Sequence, residues 1–501
     1  MTRKPQSTTW GWADTGPVWG ARAFTPKSGQ DHLGLGSVSS DRILPTLSPG
    51  INVLTIHPRY WSFYSWILDD FWAADLLRTR SAFQNFYRPR EALFAMACHV
   101  CDAPEHQSMV ANVVGSRRVG SRANDTAFDP QFDYIKEALG GYSLYYRSAM
   151  ELTGVLVIAR PTNGFPFDAP TPYGRALAAA YRAAVSDSRL AARLESGDLV
   201  APIARDVLVE FARKGCLCQL GIANNYDLPL LQDLFLHSGA PAEIAYRGET
   251  LRLLLDLSQC TPDEAIKEQD FRQFVYFRAL EGDVYTSRAE LVDVARRWRV
   301  YQGRDEIWPR NEVLDEHAVY VACRDYDVDD GKTLLALIAL VLLLRERFGL
   351  PSRVAEYAQE RDLLSEGGAL RIGMARFMHV LNQRLLRQPT LAELAEWLIQ
   401  DFVIVQHERV ATAKLPDDTY RVRRVGDNLR FFPQEVPAVF NDSRFLALST
   451  IVHELGWVST FREPDRSLTA AGRSLLANGD LPSGALDEAA AAYEFSGSEL
   501  V

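Results

Sequence analysis

A few polar residues embedded among aromatic rings are the first candidates for chemistry in this chain: Asp14, Asp31, Asp41, His57 and Arg59. They lie in or beside a block, Trp10 to Trp72, that holds six of the ten tryptophans of the 501 residues. Unpaired charge is costly in such surroundings. Two arrangements satisfy it. The residues can pair as fold-fixing bridges, Arg59 with an aspartate, or they can line a pocket in which Asp31, Asp41 and Arg59 would form a catalytic set. Bridging is the favoured arrangement; convergence of the three on an open cleft would mark an enzyme.

Cys98, His99, Cys101 and His106 are residue types that ligate zinc. No second Cys-x-x-Cys or His-x-x-x-His half accompanies them, and Cys98 continues the apolar register of Leu93, Phe94 and Ala97. The expectation is a buried structural cysteine, no metal and no cofactor. Gly331-Lys332-Thr333 resembles the end of a phosphate-binding loop, but Tyr326 stands where that loop requires glycine. His453-Glu454 lacks the second histidine of a zinc-protease helix, Trp457 occupying its place. Asp325, Asp327, Asp329 and Asp330 precede an apolar helical run, where a helix dipole favours negative charge without any bound cation.

Candidate nucleic-acid contacts are Arg117, Arg118 and Arg122, in a glycine- and serine-rich stretch, and Arg444, Arg462 and Arg466 near the C-terminus. A net charge of -10 and a pI near 5.5 exclude wholesale polyanion binding, because phosphate neutralisation by lysine and arginine dominates that affinity. Six cysteines in so long a chain are not a disulfide framework and fit a reducing cytoplasm. No signal-peptide core follows the N-terminus, and the apolar run Thr333–Leu344 is far short of the ~20 residues that span a bilayer, so a cytoplasmic protein without membrane contact is expected.

The elements that must position these residues read as mainly α and multidomain. An irregular, aromatic-rich N-terminal module is expected over 1–160, an all-helical middle domain over 173–387, a winged-helix-like α+β domain over 388–480 and a flexible tail over 481–501. After Pro58, apolar residues at i, i+3, i+4 and i+7 trace two faces of one helix, which must therefore be buried. Pro161–Pro172 reads as a linker. Tyr420–Val425 and Leu429–Phe432, joined through Gly426-Asp427-Asn428, read as a hairpin.

Toward the C-terminus, a helix ending at Leu455 with Gly456 beyond it, a short strand Trp457–Phe461, a charged turn, a return strand Ser467–Leu468 and a helix capped by Thr469 resemble the winged-helix domains of bacterial regulators. The resemblance implies a groove helix at Ser443–Glu454 and phosphate contacts from the wing. Arg444 is that helix's only fixed positive charge, opposed by Asp442, Glu454, Glu463 and Asp465. A wing used for packing or partner docking is therefore favoured over one that grips DNA.

The N-terminal phrases Gly11-Trp12-x-Asp14, Asp31-x-Leu33-Gly34-x-Gly36, Asp41 with Leu44, Pro49-Gly50, Arg59-Tyr60, Arg90-Glu91 and Val114-Gly115 resemble a bacterial family found beside helicase and nuclease genes in phage-defence clusters. The resemblance implies a non-catalytic subunit of a multi-gene antiviral system. It would serve as nucleic-acid sensor or adaptor, with partners among the operon's helicase, ATPase or nuclease products and DNA as a further candidate. The alternatives are an enzyme built on Asp31, Asp41 and Arg59, and a winged-helix DNA-binding regulator.

Overall fold

The computed structural model describes residues 43–307 apart from 105, 107–111, 123, 222–225, 240, 261–264, 278, 281–282 and 285–286, a scatter of residues between 380 and 408, residues 422–431 apart from 427, and residues 442–482 apart from 462–465. The described chain is mainly helical. No helix among the described residues is long and apolar enough to cross a membrane.

The chain divides into two units. One joins Ile43–Gln302 to Asp442–Val501; the other comprises Met1–Arg42 and Gly303–Asn441. The first is built on α1 (Arg59–Ala73), α2 (Arg80–His99), α3 (Pro172–Val185), α4 (Arg189–Ser196), α5 (Arg205–Gly215), α6 (Asp227–His237) and α7 (Pro241–Cys260). α8 (Glu268–Phe277), α9 (Val292–Ile307), α10 (Phe445–Glu454) and α11 (Ala470–Asn478) are the other longer helices among the described residues.

Every residue of α1 from Arg59 to Leu68 is buried, as its two apolar faces require. Its rings interlock with those of its neighbours. Phe63 stacks on Phe94 of α2 with centroids 3.9 Å apart, and Trp61 meets Tyr146 and Phe235 edge-on, each at 5.1 Å. α3 lies along α1, with Thr171 capping its first turn by accepting from the Gly174 N–H and Pro172 following the cap. α2 begins three residues after an exposed loop leucine, capped by Thr79, and passes through Pro89 without ending. It runs unbroken for 20 residues.

Short antiparallel strand pairs pin the loops. β1 (Ala127–Phe128) pairs with β4 (Ile203–Ala204), and β2 (Leu156–Val157) with β3 (Ala169–Pro170). The segment read as a linker, Pro161–Pro172, thus contains a paired strand, and Asp168 within it is fully buried. It accepts from Arg147 Nη2 at 2.7 Å, from Tyr142 Oη at 2.8 Å and from the Ala159 N–H at 2.9 Å. The compact unit runs straight across the expected boundary between 160 and 173. Residues 133–139 are turns, bends and irregular backbone.

In the C-terminal part, Gly456 has φ +73°, Val458 bridges Leu468, and Thr469 caps α11. Gly472 sits so close to the Trp457 carbonyl that a Cβ would collide with it. The local order of helix, bridge and helix follows the sequence expectation. In the second unit, β5 (Val422–Val425) and β6 (Asn428–Phe431) form the expected hairpin, with Gly426 at φ +62°.

Candidate functional site

The C-terminal ends of α2 and α5, which pack against each other, carry the most chemically distinctive group of side chains. α2 closes with the Val100 N–H on the Met96 carbonyl, and the chain then turns out to Cys101. A further turn, the His106 N–H on the Ala103 carbonyl at 3.1 Å, returns His106 to the interior. α5 ends at Gly215, the Cys216 N–H reaches the Ala212 carbonyl, and a 3₁₀ turn over Leu217–Gln219 follows. That turn carries Cys216 and Cys218 to the same place.

Ligand-type atoms of Cys101, His106, Cys216 and Cys218 all lie within 4.8 Å of one another. The Cys101 and Cys218 sulfurs are 3.7 Å apart, and His106 Nδ1 lies 3.2 Å from Cys216 Sγ. His106 and Cys216 are buried while Cys101 and Cys218 are half-buried. Gln219 Nε2 donates to Cys218 Sγ at 3.1 Å, and the Ala103 N–H is directed at the Cys101 sulfur. Hydrogen bonding to Cys216 pushes the Cys101 thiol up to about 12, and burial raises that of Cys216. The first shift comes from the neighbouring sulfur and the second chiefly from loss of water around the thiol. Three sulfurs and an imidazole at this spacing are a donor set that a tetrahedral cation can use.

Comparison with protein-family models, curated proteins and solved structures finds no match to this chain. The site therefore rests on its own geometry.

Arg59 lies immediately behind the cluster and is fully buried. Its Nε donates to Asp227 Oδ2 at 3.1 Å, its Nη1 donates to the Cys216 carbonyl at 2.6 Å, and its guanidinium stands 5.2 Å from the Tyr181 ring centroid. Burial alone would lower its pKa; the Asp227 carboxylate more than offsets this, so the value is raised and the cation persists. Arg59 pairs with an aspartate, as the sequence favours, but the partner is Asp227 of α6. Asp14, Asp31 and Asp41 lie outside the described residues. His57 pairs with Glu454 at 2.7 Å.

The candidate nucleic-acid residues do not form one surface. Arg117 is exposed, Arg118 binds Asp133, and Arg122 meets Asp125 at 3.3 Å and lies over the Phe132 ring. Arg444 turns inward, its Nη1 donating to Ser48 Oγ at 3.0 Å and to the Ile51 carbonyl. Arg466 is buried. As placed, Arg466 is enclosed and Arg444, half-exposed, is engaged with the backbone near Ser48 and Ile51. Arg462, Gly331-Lys332-Thr333 and the Asp325–Asp330 cluster lie outside the described residues.

Sequence reasoning passed over Cys216, Cys218 and Asp227 and left His106 without partners, expecting no metal. Cys98 is buried on the α2 register, as expected. The ligand signal was present as two short pairs, Cys101-x4-His106 and Cys216-x-Cys218, separated by more than a hundred residues.

Proposed function

We propose that this protein is a non-catalytic adaptor subunit of a multi-gene prokaryotic antiviral defence system. One observation carries the non-catalytic part: the described residues that bear the family-like N-terminal phrases hold one another and the core. The Val114 N–H donates to Tyr60 Oη at 3.0 Å, and Arg59 is taken by Asp227. Glu91 is fully buried, accepting from Tyr64 Oη at 2.5 Å, from Tyr134 Oη and from the Gly141 N–H. Gly115, at φ +75°, stands where a Cβ would lie 2.8 Å from the same Tyr134 ring. These residues form a connected scaffold, with Arg59 unavailable to a substrate.

The adaptor form is favoured over the sensor form by the disposition of charge. α10, which would be the groove helix of a winged-helix domain, contains no lysine or arginine and buries Phe445, Ala447, Leu448, Ile451 and Val452. Its exposed positions include Leu446 and His453. A helix so placed serves packing, and the winged-helix-like segment is proposed to fasten the C-terminal part onto α7 and α8.

The test is co-purification of the full chain with the products of its neighbouring genes, together with binding to duplex and single-stranded DNA at low salt. A stable protein complex and no low-salt DNA binding are expected. DNA binding that weakens steeply with salt would overturn the adaptor form in favour of the sensor.

A further inference from the structure

The four side chains at the ends of α2 and α5 are the right types, at the right spacing, in the right degree of closure, for a single ion. A tetrahedral zinc with bonds of about 2.3 Å to sulfur and about 2.0 Å to nitrogen has S···S edges of about 3.8 Å and S···N edges of about 3.5 Å. The Cys101–Cys218 edge is 3.7 Å and the His106–Cys216 edge 3.2 Å. With no pair of the four beyond 4.8 Å, rotamer adjustments that move the donor atoms by up to about an ångström close the tetrahedron. We infer that Cys101, His106, Cys216 and Cys218 bind one Zn²⁺ through three thiolates and His106 Nδ1, as a closed structural centre that staples the end of α2 to the end of α5.

The donor chemistry selects the ion. Thiolate with imidazole in a four-donor set suits Zn²⁺, whereas Mg²⁺ and Ca²⁺ require oxygen ligands. All four positions of the tetrahedron are protein side chains, which is the arrangement of structural sites; catalytic zinc keeps one position for water or substrate. Gln219 Nε2 on Cys218 and the Ala103 N–H at Cys101 supply donors to the sulfurs, partly balancing the net negative charge of three thiolates on a dication.

The location gives the ion its consequence. Cys216 contributes its sulfur to the cluster and its carbonyl to Arg59, and the neighbouring Gly215 carbonyl accepts from Tyr181 Oη at 2.7 Å. Holding Cys216 therefore fixes the backbone that receives the buried cation of α1 and the ring of α3. Cys101 and His106 come from one segment and Cys216 and Cys218 from another, so the ion closes a long loop of chain, the kind of cross-link whose entropic benefit is greatest.

The proposal is tested on the full chain, purified without added metal, by native mass spectrometry. One zinc per chain is expected, lost in Cys218→Ser and in Cys101→Ser and retained in Cys260→Ser, which alters an exposed cysteine outside the cluster. Because a ligand variant can fail to fold, a second measurement uses the unaltered sequence. Replacement of the metal by Co²⁺ is expected to give the intense visible bands of a tetrahedral ion with thiolate-to-metal charge transfer. A chain that purifies without zinc and binds Co²⁺ with only the faint octahedral spectrum overturns the proposal. Loss of zinc in Cys98→Ala with retention in Cys101→Ser overturns the ligand assignment.

Discussion

At the residue scale, Arg59 shows how a charge can be legible in a sequence while its partner is not. Embedding among rings demanded a counter-charge, and the sequence offered three nearby aspartates. The partner is Asp227, 168 residues away in the chain, because folding lays α6 against α1. Both members are fully buried. Breaking such a pair leaves an uncompensated charge, so Asp227→Ala is expected to destabilise the protein by about 3–5 kcal/mol in denaturant unfolding, whereas the paired apolar change Arg59→Met with Asp227→Leu should recover most of that loss. Equal losses in the single and paired variants would show that the site's role is not electrostatic. The metal ligands were obscured for the same reason. Each pair, Cys101 with His106 and Cys216 with Cys218, is half a site, and only the packing of α2 on α5 brings the halves together.

At the scale of elements, periodicity served well. The buried helix after Pro58, the hairpin about Gly426 and the helix, bridge and helix from Phe445 to Asn478 were readable because each is set by local spacing and capping residues. What α10 faces was not readable. Its N-terminus is fastened by Glu268 of α8, which accepts from the Ser443 N–H at 3.0 Å and from Ser443 Oγ at 2.8 Å and also binds Arg272. Burial acts to raise the Glu268 carboxyl, but these partners outweigh it and hold the value below the ordinary 4.5. A carboxylate depressed in the folded state contributes stability that is present above its unfolded value and is lost as pH falls through its folded value. Protection of the Ser443 amide against hydrogen exchange should therefore decline as pH drops below about 4.5. Glu268→Gln should lower that protection at neutral pH and flatten the acid response. An unchanged acid response in the variant would assign it to other carboxylates.

At the scale of the whole molecule, the chain leaves its described unit after Gln302 and returns to it at Asp442. Local patterning could not reveal this, so the sequence grouped the hairpin near Gly426 with α10 and α11 although the two belong to different units. The points of departure and return are adjacent, Tyr301 Oη donating to the Asp442 carbonyl at 3.1 Å. Segments with neighbouring ends tolerate replacement. Substituting a short glycine–serine linker for residues 303–441 is expected to leave a cooperatively unfolding helical protein; a chain that no longer folds would show that the two units depend on each other.

The inferred zinc centre joins the three scales: it is made of single residues, ties two helix ends, and supports the scaffold on which the proposed non-catalytic role rests. X-ray absorption at the zinc edge of the purified full chain tests it most directly. The expected first shell is three sulfurs at about 2.3 Å and one nitrogen at about 2.0 Å. A shell of oxygen and nitrogen alone, or a chain carrying no zinc, would contradict it.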